Sequence, residues 1–75
     1  MRIWSILKQA IADLNQTIKI NPNHVDAYYN RGVAYYEQGK PELAKTDLEK
    51  AKQLSIAQGN AASAEEADSF LKQIP

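Results

Sequence analysis

From Ile3 onward, apolar residues return every three or four positions: Ile3, Leu7, Ala10, Leu14 and Ile18. That spacing draws one stripe down a single helical face. The stripe should stop near Ile20, because Asn21 precedes Pro22 and the proline ring pushes its predecessor out of the helical region. A second helix is expected from Val25 or Asp26, stacking Tyr28, Gly32 and Tyr35 on one face. Gly39 is placed to end it in the left-handed conformation that glycine adopts without penalty. Pro41 suits the first turn of a third helix, where its missing N–H has no partner to lose. Leu43, Ala44, Leu48, Ala51 and Leu54 make the stripe of that helix. "QGN" at 58 to 60 breaks the chain again, and "SAEE" at 63 to 66 has the spacing of a capping box. Ala64, Ala67, Leu71 and Ile74 form a fourth stripe, so the pattern predicts an all-α chain of about four antiparallel helices.

The pattern also repeats. A shift of 34 residues lays Ala10 on Ala44, Asp13 on Asp47, Leu14 on Leu48 and Ile20 on Leu54, so the first and third helices are copies of one unit. A shift of 35 lays Gly32 on Ala67 and Tyr35 on Phe70, a weaker copy of the second helix in the fourth. A helix–turn–helix period of this length belongs to stacked helical arrays. Small residues at Gly32 and Ala44 then have a physical reason: two helices cross there, with Tyr28 and Tyr35 filling the space on either side.

These residues resemble a tetratricopeptide repeat. Tyr28 takes its first large position, Gly32 its glycine, Tyr35 its tyrosine, Ala44 its alanine and Leu48 its phenylalanine, with Ala51 on the same stripe. The resemblance implies a fragment of an α-solenoid. Residues 1–21 are the second helix of a partial repeat, 25–58 a full repeat, and 60–74 a C-terminal capping helix. Arg31 stands where leucine is usual, Thr17 where alanine is usual, and Ile56 where proline is usual. Losing that proline lets the third helix run on toward Gln58. The resemblance further implies that residues turned away from the core of the second helix line a concave face for peptides or partner helices. Here those residues are Asp26, Tyr29, Asn30, Val33, Tyr36 and Glu37.

Composition narrows the alternatives. With 75 residues the chain holds one domain with a thin core. Nine basic residues balance nine acidic ones, which argues against nucleic acid or an anionic membrane as partner. Cysteine is absent, and charged residues interrupt the N-terminal apolar stretch too early for a membrane span, so a cytoplasmic location is expected. Catalysis requires convergent polar groups. The sole histidine, His24, reads as a solvated turn residue, and Asp13, Asp47 and Glu49 are expected to face solvent on their helices. The sequence therefore points away from an enzyme, a metal site or a cofactor.

What is left is recognition. Two tyrosines beside an amide suit a protein or peptide ligand, since tyrosine buries area at low entropic cost. "YYNRG" at 28 to 32 is similar to the central repeat of tetratricopeptide domains that clamp a chaperone's C-terminal carboxylate, with Asn30 in the clamp position. The remaining clamp residues have no counterpart, and Asp26, Glu37, Glu65 and Asp68 would repel a carboxylate, so a neutral or basic segment is the better ligand. The alternative is a self-assembling unit with no other ligand. Ile3, Trp4 and Leu7 on the first helix would then form the contact of a homodimer.

Overall fold

Two glycines and a proline decide where the chain turns. The computed structural model describes residues 2–75, with side chains from Ile3 onward. Among them lie four helices: α1 (Arg2–Ile20), α2 (Val25–Glu37), α3 (Pro41–Ala57) and α4 (Ala61–Gln73). Pro22 stands two residues after the end of α1, and the Asn21 side chain between them accepts from the Asn23 N–H. Gly39 and Gly59 adopt φ values of +77° and +74°. After α2 the Lys40 N–H reaches the Tyr35 carbonyl and the Gly39 N–H that of Tyr36; after α3 the Asn60 and Gly59 N–H groups repeat the pattern on Ser55 and Ile56. Both helices thus close in the same left-handed cap, which satisfies carbonyls the helix leaves open.

The starts of the helices differ more from expectation. His24 caps α2, its Nδ1 accepting from the Ala27 N–H at 3.1 Å, so it is more than a solvated turn residue. α4 begins at Ala61, not at the Ser63 capping box, because Asn60 accepts from the Ser63 N–H at 3.1 Å. Ser63 is thereby drawn into the first turn. Asn60→Ala should lower stability by about 1 kcal/mol, measured as an earlier urea midpoint with an unchanged slope.

Each helix packs against its predecessor, α1 on α2, α2 on α3 and α3 on α4, in a slab of 39 × 31 × 16 Å. Packed helices generally lie about 8–10 Å apart axis to axis. The centre is the α2–α3 crossing. A Cβ built on Gly32 would sit 2.9 Å from Leu48 Cγ, 3.2 Å from the Ala44 carbonyl oxygen and 3.3 Å from Asp47 Cβ. Only backbone hydrogen fits there. Around the crossing, Ala44 and Leu48 join Ile74, with Tyr29, Tyr35, Phe70 and Leu71 packed against them. Tyr28 joins Ala51 and Ala67, while Leu7, Ile11 and Ala34 seal α1 onto α2.

Three positions depart from the periodic reading. Ile11 is buried where Ile3 is 57% exposed, because α1 leans on α2 through Leu7 and Ile11 rather than through its expected stripe alone. Leu43 is 47% exposed. It precedes Ala44 by one residue, about 100° around the helix, and so falls outside the face that Ala44 and Leu48 press into the core. Asp47, expected in solvent, is buried at 4% exposure. It lies one turn beyond Ala44 on the crossing face, and Arg31 meets it there. Arg31 Nε and Nη2 each donate to an Asp47 carboxylate oxygen at 2.7 Å, and Nη1 donates to Asn15 Oδ1 at 2.8 Å. The guanidinium lies 5.6 Å and 5.9 Å from the ring centres of Tyr28 and Tyr35. A forked ion pair with aromatic flanks thus stands where a leucine was expected.

Candidate protein-binding groove

α2 turns its second set of tyrosines toward α4. Phe70 of α4 meets Tyr29 edge-on at 6.1 Å between ring centres and Tyr36 at 5.6 Å, with ring planes near perpendicular. Edge-to-face contacts of this kind suit the ring quadrupoles. The three rings form a continuous aromatic shelf between the two helices. Tyr36 keeps 39% of its surface. Tyr29 is half-buried, so one of the two tyrosines expected to be free is partly consumed by the core. Burial raises its phenol pKa, and the nearby Glu66 carboxylate raises it further.

Beside the shelf, Asp26, Asn30 and Glu37 are exposed and Val33 is half-buried. Among the described residues no cation pairs with Asp26, Glu37 or Glu66, so the rim is acidic. Asp68 does not add to it. Lys52 and Lys72 bind its two oxygens at 2.9 Å and 3.3 Å, and these hydrogen bonds hold its carboxyl below the usual carboxylate range. That ion cluster ties α4 to α3.

The 35-residue shift hid Phe70 by laying it on Tyr35. The caps His24 and Asn60 stand 36 residues apart, which lays Phe70 on Ala34 instead. Ala34 packs back onto α1, and Phe70 packs back onto the α2–α3 pair in the same sense. Comparing caps rather than glycines finds the residue.

The N-terminal residues divide. Ile3 and Trp4 are exposed at 57% and 42%, but Leu7 is buried against α2 and so drops out of the expected two-fold contact. Among the described residues no group of three or more His, Cys, Asp or Glu side chains could hold a metal ion. Nor, among them, is any helix long and apolar enough to cross a membrane.

No curated protein and no solved structure matches the chain. Two family models do: one described as TPR repeat over residues 7–39, the other as Tetratricopeptide repeat over residues 25–55. Such repeats generally mediate protein–protein interactions and are generally non-catalytic modules. With its 34-residue period, its glycine–alanine crossing and a match running from residue 7 to residue 55, the chain belongs to the tetratricopeptide repeat family.

Proposed function

We propose that the chain is a protein-interaction module whose α2–α4 face receives an extended peptide or partner helix with neutral or basic side chains. The supporting observation is an aromatic shelf of Tyr29, Phe70 and Tyr36 bordered by acids that no cation pairs with among the described residues, with Glu66 near enough to raise the Tyr29 pKa. The rings offer area that loses little rotamer freedom on binding. Asn30 can donate to and accept from a peptide backbone. Asp26, Glu37 and Glu66 attract lysine or arginine and oppose a terminal carboxylate.

The test compares fluorescently labelled lysine-rich and glutamate-rich peptides of equal length by anisotropy. The lysine-rich peptide should bind the tighter, and Asn30→Ala should weaken it about fivefold while the melting curve stays put. Tyr29→Ala is a poor probe, since it removes a packing partner of Phe70 together with any ligand contact. Stronger binding of the acidic peptide, or affinity indifferent to both Asn30→Ala and Glu66→Lys, would move the site off this face.

A further inference from the structure

α1 and α3 carry the same alanine, aspartate and leucine in the same register, Ala10, Asp13 and Leu14 against Ala44, Asp47 and Leu48, and their surroundings differ. On α3 the face of Ala44, Leu48 and Ala51 is wholly closed, each at 0% exposure, with Asp47 at 4%. α2 closes much of it, with help from Ala67, Phe70 and Leu71 of α4: Gly32 lies against Ala44 and Leu48, Arg31 pairs with Asp47, and Tyr28 shares a cluster with Ala51, against which Leu54 packs. On α1, Ala10, Leu14 and Thr17 take the places of Ala44, Leu48 and Ala51, and all three are only partly covered. Asp13, the counterpart of Asp47, is exposed, and among the described residues no cation pairs with it. Ile20, the counterpart of Leu54, is 75% exposed. Among the described residues the seat is repeated and left open.

We propose that this face of α1 docks an amphipathic helix from a second protein. The helix carries an arginine for Asp13, a glycine or alanine next to it, and an aromatic ring three residues before the arginine to cover Thr17 and Ile20. Its chemistry follows from α2, where Tyr28, Arg31 and Gly32 make the equivalent contacts on α3. Asp13 supplies the charge complementarity, and burying it under the incoming helix strengthens the pair. A second copy of the chain is a poorer occupant, because its Arg31 is already committed to Asp47. No residue of the α2–α4 groove takes part, so the two sites stand or fall separately.

A synthetic peptide of residues 24–40 serves as the probe, titrated into the isotopically labelled chain and followed by NMR. Saturable shifts are expected at Ala10, Asp13 and Thr17. Asp13→Ala should weaken binding about tenfold or more, the range for a hydrogen bond to a charged group. Asp13 is exposed, and circular dichroism verifies that its variants are folded. Asp13→Arg should recover affinity for the same peptide carrying Arg31→Asp. The proposal is overturned by an absence of saturable shifts, by equal affinity in Asp13→Ala, or by shifts confined to α3, which would mean the peptide merely displaces α2. It is also overturned if the chain alone sediments at twice its 8.4 kDa and Asp13→Arg returns it to the monomer mass, since a second copy then fills the seat.

Discussion

Gly32→Leu should melt roughly 5–20 °C below the parent chain, a loss of about 1–3 kcal/mol for an overpacked contact. The smallest added atom already meets Leu48 Cγ at 2.9 Å and the Ala44 carbonyl oxygen at 3.2 Å. Leu48 is fully buried and has no space to retreat into, while the carbonyl is fixed in its helix. One effect opposes the loss. Glycine is a poor helix former, and leucine regains somewhat under 1 kcal/mol of propensity. Separating α2 from α3 costs more, because it loosens every contact around the crossing. In a domain of this size total stability is about 4–11 kcal/mol, so the loss is visible in a thermal melt by circular dichroism. A Gly32→Leu chain that melts with the parent would mean that α2 and α3 do not cross at this residue.

Asp47→Ala should cost about 3 kcal/mol, because it strands a guanidinium between two tyrosine rings. Removing one partner of a buried pair typically costs about 3–5 kcal/mol. The lower end applies here, since the Arg31 side chain keeps 20% exposure and a hydrogen bond to Asn15. Arg31→Leu/Asp47→Ala should regain most of the loss, because an apolar replacement leaves no charge to desolvate. Urea titrations of both single variants and the double variant close the cycle. Additive losses would show that the two side chains do not depend on each other, and a neutral Asp47→Ala would show that the pair stays solvated.

The crossing and this ion pair mark what could be read from the chain. Gly32 and Ala44 were legible because small residues between large ones at helical spacing have few uses other than close approach. Gly39 and Pro41 were legible because each has a conformational preference stronger than its surroundings. Asp47 was not, because a carboxylate on a helix normally points to water. Its burial depends on Arg31, a residue in another helix that had registered only as a departure from the family pattern. A signal was present: Asp47 lies three residues after Ala44 and one before Leu48, within the buried stripe itself. The face that α2 turns toward α4 was half legible. Asp26, Asn30 and Glu37 lie on the exposed side as expected, whereas Tyr29 is half covered by a Phe70 whose register was one residue off. The α1 face was harder still, because the periodicity of Ile3, Leu7 and Ala10 says nothing of which side finds a neighbour. α2 takes Leu7 and Ile11 and leaves Ala10 and Asp13 without full cover.

The packing of each helix on its predecessor has a mechanical consequence. Asn15 to Arg31, Arg31 to Asp47 and Lys52 to Asp68 each link residues 16 apart, and the main packing joins consecutive helices only. A topology this local has low contact order, which favours folding in microseconds to milliseconds. Each helix can therefore zip onto the one before it with little loop to close. With each helix held mainly by its sequence neighbours, opening can start at an end and proceed one helix at a time. α1 is held by a single interface, so it lies at the low-stability end of native-state opening, and its amides exchange with solvent ahead of those in the α2–α3 pair.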